Sequence, residues 1–249
     1  MRLVRLAGGI ALVLLFLAIL LATAPARLLN QVLPPEQIVL AGVQGTLWRG
    51  NASRCLLRLP QGYLHLGAVE WSLDPLSLLM LSPRLSFASN WGGQRVEAQL
   101  RLRGQRDLDL RNLEMQVDAE LVQQFAPLAV DGMLSAEFAE LALRDGLPYS
   151  ARGRLVWQEA GFQSPRGRIP LGSYAVDVEQ APGAALRGEV ITLGGDLLVE
   201  GRVELRNRNY SIDLTLRGDG PLDNELNNAL AVMAAPQGDG YRLSLESTF

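Results

Sequence analysis

Side chains able to do chemistry are few in this sequence, and they are poorly grouped. There is one histidine, His65, and one cysteine, Cys55. One of each cannot complete the usual ligand sets for zinc or a transition metal. A lone cysteine also rules out an internal disulfide framework. His65 sits in Gly62-Tyr63-Leu64-His65-Leu66, where it alternates with leucines and reads as the solvent side of a strand. Cys55 lies in a partly apolar stretch and reads as a buried, inert thiol. With a single candidate base and no Gly-x-Ser-x-Gly elbow, serine chemistry has no support. Gly92-Gly93 reads as a hairpin turn, not a phosphate loop. Carboxylates pair at Asp107 with Asp109 and at Glu137 with Glu140. Asp107 and Asp109 alternate with leucines, so they read as a solvated strand face and not as an acid–base couple. The four tryptophans, Trp48, Trp71, Trp91 and Trp157, fit core packing, with an apolar groove or an interface as the other reading. No catalytic residue, cofactor site or metal site is expected.

Composition narrows the class further. The chain has 249 residues, 48% of them hydrophobic, enough for a sizeable core. Its formal charge is −3, with 26 acidic residues against 23 arginines and no lysine. The arginines are spread along the chain, and nothing argues for nucleic acid.

The elements that would carry these residues begin with an apolar N-terminus. Met1 to Arg5 is short and basic, and Leu6 to Ala26 then runs without a charge. That length just spans a hydrocarbon core of about 30 Å. The basic flank predicts a cytoplasmic N-terminus (1–5), a transmembrane helix (6–26) and a chain that continues outside the cytoplasm. The rival reading is a cleaved signal peptide, since Ala22-Thr23-Ala24 and Ala24-Pro25-Ala26 are small-x-small sites. A connector and first strand (27–44) follow, with Pro34-Pro35 barring a helix.

Beyond it the period is mostly two. Val43 to Trp48 reads as a strand, with Gly45 inside it and Gly50 beyond it. In Val96 to Arg103, Val96, Ala98, Leu100 and Leu102 point one way and charged or polar residues the other, as in an antiparallel sheet with one buried face. Asp74-Pro75 opens a short helix. Asp118 to Ala129 changes to helical spacing, with Pro127 predicting a stop or kink near Phe125, and a last helix follows Gly220-Pro221-Leu222-Asp223. Two halves line up at a nearly constant offset: Leu66-Gly67 with Leu171-Gly172, Gly92-Gly93 with Gly194-Gly195, and Glu120-Leu121 with Glu225-Leu226. Trp48 answers to Trp157. The expected architecture is therefore mainly β: a transmembrane helix, then a duplicated, curved antiparallel sheet with short helices. Its repeats span 45–145 and 146–249, parting at Gly146-Leu147-Pro148.

At Gly45-Thr46-Leu47-Trp48-Arg49-Gly50 the sequence resembles the type II secretion system protein N family (general secretion pathway protein N). Val69-Glu70-Trp71, Gly153 to Trp157, Gly220-Pro221-Leu222 and Gly240-Tyr241-Arg242-Leu243-Ser244-Leu245 extend the resemblance over nearly the whole chain. It implies a non-enzymatic, single-pass inner-membrane accessory of the pathway that exports folded proteins from the periplasm across the outer membrane. Its partners would be other secretion-system envelope proteins. The alternative is an AsmA-like module that binds lipid in an apolar β groove. Gly45, Thr46, Leu47, Trp48, Gly50, Trp71, Gly153 and Trp157 stand as a structural motif and not as a reactive site.

Overall fold

The computed structural model describes residues 16, 19–34, 36–59, 62–104, 106–124, 129–164, 167–220, 222 and 224–248. The chain is mainly β, every strand pairing antiparallel, and it divides into two compact units, Met1–Trp91 and Gly92–Phe249. Residues 1–15, 17 and 18 lie outside the described residues, and so does most of the expected membrane span. Among the described residues no helix is long and apolar enough to cross a membrane. Residues 19–22 are helical, and the helix stops at Thr23. Pro25 has no N–H to continue it, and it makes an isolated bridge to Thr46 instead. A 3-10 turn (Ala26–Leu28) and α1 (Leu29–Val32) lead into the sheet.

Unit 1 contains β1 (Ile38–Ala41), β2 (Gln44–Gly45), β3 (Arg49–Leu59), β4 (Gly62–Leu73), α2 (Pro75–Leu79) and β5 (Arg84–Trp91). Its sheet runs β1-β3-β4-β5, with β2 pairing β3. A register shift between Ala52 and Cys55 brings both to one face with Val69, where they are buried, and Ile38, Leu40, Leu66, Trp71 and Phe87 pack against them. Burial pushes the Cys55 thiol up, as expected for an inert core thiol. β4 is one strand where the sequence suggests two. A bulge in the β3–β4 ladder and a left-handed Gly67 (φ 67°) absorb the irregularity. A Cβ on Gly67 would lie 2.5 Å from the Asn90 carbonyl oxygen. His65 is exposed, as expected, and stacks on Trp91 with ring centroids 6.0 Å apart.

Unit 2 contains β6 (Gln94–Leu102), β7 (Leu108–Asp118), a 3-10 helix (Ala119–Gln124), β8 (Val130–Arg144), β9 (Leu147–Ser164), β10 (Gly167–Gln180), β11 (Leu186–Gly194), β12 (Leu197–Arg206), β13 (Asn209–Gly218), α3 (Asn224–Met233), β14 (Ala235–Gln237) and β15 (Gly240–Thr248). Strands β6 to β13 pair in chain order; β15 follows β13, and β14 lies at the edge. Pro236 is tolerated there because an edge strand can forgo a donor. The α-helix expected from Asp118 is a 3-10 helix as far as Gln124; the expected stop or kink near Phe125 falls outside the described residues. The expected boundary at Gly146 is the turn of the β8–β9 hairpin, whose ladder runs from Val130–Phe162 to Arg144–Leu147.

One face of this sheet is apolar. Leu110 pairs Leu141, Leu113 pairs Phe138 and Val117 pairs Leu134; Leu134 pairs Trp157, which pairs Tyr174. The face continues to Ile212–Leu245 and Leu214–Leu243. The opposite face carries ion pairs such as Arg154–Asp177 and Arg242–Asp213. α3 covers part of the apolar face, where Leu226 and Leu230 close on Tyr174, Val190, Val199 and Leu216. The Tyr174 hydroxyl donates to the Leu171 and Leu197 carbonyls at 2.9 Å each, and burial pushes its pKa up to about 12. Because Leu226 is buried in this cluster, Leu226→Ala is expected to lower stability by about 2–4 kcal/mol in urea unfolding.

Candidate functional site

The Gly45–Gly50 stretch is not a strand but a tight hairpin, with Leu47 and Trp48 at its corner. Gln44 pairs Asn51 and Gly45 pairs Gly50. The Thr46 amide donates to the Arg49 carbonyl at 2.8 Å, and the Arg49 amide donates back to Thr46 Oγ1 at 3.1 Å. The glycines are set by space. Gly45 has φ 89°, and a Cβ there would lie 2.5 Å from the Arg49 oxygen. A Cβ on Gly50 would lie 2.5 Å from Trp71 Cζ2 and 2.6 Å from the Gln44 oxygen. Trp71, opposite Gly50 in β4, needs that flat floor for its ring.

The corner is held by four hydrogen bonds from elsewhere in unit 1. The Leu47 amide donates to the Ala24 carbonyl at 2.9 Å, and the Trp48 indole N–H to the Leu21 carbonyl at 2.8 Å. In the other direction, the Trp71 indole N–H reaches the Leu47 carbonyl at 3.2 Å, and the Leu73 amide the Trp48 carbonyl at 2.7 Å. A helix end leaves its last carbonyls without partners. Here the Leu21 carbonyl, which also accepts from the Ala24 amide at 3.2 Å, and the Ala24 carbonyl just beyond the helix bond the turn, and β4 holds the turn from behind. Ala24 and Ala26 are buried beside it, which gives the small residues at this point a packing role. The motif is therefore a joint between the end of the N-terminal helix and the sheet of unit 1. Sequence reasoning singled out the residues and missed the partners, because those partners lie 24 and 27 positions away.

Gly153 and Trp157 lie in β9 of unit 2 and build something else. Gly153 sits opposite Phe138, and a Cβ on it would meet that ring at 2.5 Å. Trp157 is mid-strand, tilted against Tyr174, and donates to the Asp131 carbonyl at 2.9 Å. The expected equivalence of Trp48 and Trp157 is thus corrected: one is at a turn and the other in a ladder. The buried Asp131 carboxylate also receives Arg168 Nε at 2.9 Å and Gln163 Nε2 at 2.6 Å, a cluster that the sequence pattern did not signal.

The carboxylate pairs do not converge. Asp107 accepts from the Asp145 amide at 3.1 Å, while Asp109 pairs with Arg103 at 2.5 Å and Arg144 at 2.7 Å. Burial pushes the Asp109 carboxyl up, but hydrogen bonds from Arg144 and Arg103 outweigh it and hold it below its ordinary value. Glu137 faces Arg154 across the β8–β9 ladder, and Glu140 faces Arg152. Among the described residues no three His, Cys, Asp or Glu side chains could share a metal ion. Unit 2 also has an open groove of about 1290 Å³ across the ends of β9 to β12. Val178, Val203 and Leu205 line it together with Arg144, Asp177, Glu189, Arg202 and Glu204.

The family described as "Type II secretion system (T2SS), protein N" matches residues 36–244. Relatives named "Type II secretion system protein N" are similar along most of the chain. The protein from Aeromonas hydrophila is 28% identical over 233 residues, 90% of this chain and 90% of its own. That from Vibrio cholerae serotype O1 is 28% identical over 249 residues, covering 91% and 93%. The Klebsiella pneumoniae protein is 28% identical over 187 residues, covering 73% and 71%. No solved structure matches.

Trp48→Phe keeps the ring but removes the bond to Leu21, so it should cost about 1 kcal/mol. Gly50→Ala should cost about 2 kcal/mol or more, since Trp71 must move off its seat. Chemical denaturation of both variants checks this order. The depressed Asp109 pKa contributes stability that is present above the unfolded value near 3.9 and is lost as pH falls through the lower folded value. Acid unfolding of Asp109→Asn should therefore be shallower than that of the parent below about pH 4.

Proposed function

The chain belongs to the type II secretion system protein N family, and from that premise we propose that it is a non-enzymatic accessory of type II secretion, the export of folded proteins from the periplasm across the outer membrane. Residues 6–26 anchor it once in the inner membrane with a cytoplasmic N-terminus, and both units work in the periplasm against other secretion components. The observation that carries this reading is the family match along 36–244, with relatives covered over most of their length. The joint at Gly45–Gly50 supports it. An accessory that must hold a position in an envelope assembly needs its sheet fixed to its anchor. The joint supplies that with four hydrogen bonds and two glycine contacts.

The order of elements supports an internal duplication. Apart from α2 in the first run and the short edge strand β14 in the second, the run β3-β4-β5-β6-β7, 3-10 helix, β8 recurs as β9-β10-β11-β12-β13, α3, β15. Gly67 and Gly172 both have positive φ, and each lies against a carbonyl near the next Gly-Gly turn, that of Asn90 and of Gly194.

One observation favours a second reading, an AsmA-like lipid-binding module. The apolar face of unit 2 is only partly covered, with Leu102, Leu155 and Leu245 exposed. Against it, the open groove is ringed by charges of both signs, which suit a polar protein surface better than an acyl chain. Deletion in the native host separates the two. The secretion reading predicts that secreted enzymes are retained in the periplasm while outer-membrane permeability is unchanged. Normal secretion with increased permeability would instead establish the lipid reading.

A further inference from the structure

The loop between β4 and β5 presents apolar side chains to solvent from a fixed base. Leu76 is 69% exposed, Met80 76% and Leu81 89%. The base is tied in several ways. The Asp74 amide donates to the Arg84 carbonyl at 3.0 Å, and Asp74 Oδ1 caps α2 through the Leu76 amide at 3.0 Å. The buried Ser77 hydroxyl donates to the Asp74 carbonyl at 2.5 Å and accepts from the Arg84 amide at 2.9 Å. Leu81 is held at φ 51°, a left-handed conformation that a leucine rarely adopts. This chain thus spends a buried serine, a capping aspartate and a strained leucine on a tip whose apolar side chains its own fold leaves wet. An apolar cluster presented in this way marks a binding surface.

Its place in unit 1 says what covers it. Leu73, two residues before α2, donates to the Trp48 carbonyl, and the Trp48 indole holds the end of the N-terminal helix at Leu21. The tip therefore leaves the sheet at the pole where that helix arrives. The helix residues there, Phe16, Ile19, Leu20 and Leu21, are also exposed, and they lie within the uncharged run from Leu6 to Ala26. Exposed Arg27, Arg49 and Arg84 flank the two apolar segments, suitably for anionic headgroups. We propose that the Leu76–Leu81 tip inserts into the membrane interface beside the N-terminal helix. The occupant is a lipid bilayer with anionic headgroups, and the tip is a second contact that fixes how unit 1 sits on it. The proposal rests on the reading of residues 6–26 as a membrane anchor.

The test uses the full chain with Leu81→Cys carrying an environment-sensitive fluorophore, the buried Cys55 being left in place. It is reconstituted into vesicles of phosphatidylethanolamine and phosphatidylglycerol, with Ser244→Cys in unit 2 as the comparison site. Met80→Cys repeats the measurement should labelling at Leu81 disturb the loop. The expected result is a blue shift and quenching by brominated acyl chains at the tip, with neither at Ser244. A tip probe that stays in water while the chain resists carbonate extraction overturns the proposal and leaves the anchor standing. A chain that carbonate releases although its tip was quenched upholds the tip contact and removes the anchor. A probe shielded from water yet unquenched points to a second copy of the chain and overturns the bilayer as occupant.

Discussion

Where the helix of unit 1 ends, Thr23 and the Ala24 amide bond the Ile19 and Leu21 carbonyls, and one turn supplies the further partners that tie this end to the sheet. Leu47 and Trp48 bond the Ala24 and Leu21 carbonyls, while Trp71 and Leu73 of β4 bond the turn from the other side. The rest of the motif follows from this. Gly45 permits the backbone to reverse, and Gly50 leaves room for the Trp71 ring. Ala24 and Ala26 are small where the chain is buried. A larger residue at any of these four places would separate the helix end from the sheet.

Unit 2 answers a different constraint, how to cover a single-layer sheet that is apolar on one side. α3 has ten residues and is about 15 Å long. Ten strands spaced about 4.8 Å apart measure about 45 Å along the sheet. One helix cannot span them, and the cluster that it closes draws Tyr174, Val190, Val199 and Leu216 from four successive strands. Elsewhere on that face Leu110, Leu113, Leu134 and Leu141 are half-buried, and Leu102, Leu155 and Leu245 are exposed. On the opposite face the arginine–carboxylate pairs keep the sheet soluble more than they stabilise it, since exposed pairs contribute about 0–1 kcal/mol.

Local pattern was readable where the chain obeyed one period. The alternation in Val96 to Arg103 became β6, and Asp74-Pro75 became the cap and first turn of α2. Gly92-Gly93 falls between β5 and β6, and Gly194-Gly195 at the end of β11. Reading failed where local signals conflicted with distant contacts. The apolar Leu47 and Trp48 suggest a strand, but they turn because their partners come from Leu21, Ala24 and β4. Gly161, Gly167, Pro170 and Gly172 suggest a loop, yet β9 and β10 run through them with register shifts at Gly172 that absorb the misfit. The two tryptophans that anchored the expected repeat, Trp48 and Trp157, share a sequence setting and not a structural one.

The Gly45–Gly50 turn is a fixed joint and not a surface hairpin. Hydrogen exchange at the Leu47 amide and the Trp48 indole N–H, measured on the full chain in a bilayer, addresses it directly. The joint predicts protection of both protons as strong as that of the β3–β4 ladder, because each is bonded to a helix-end carbonyl. Exchange at the rate of an exposed two-residue turn would contradict it.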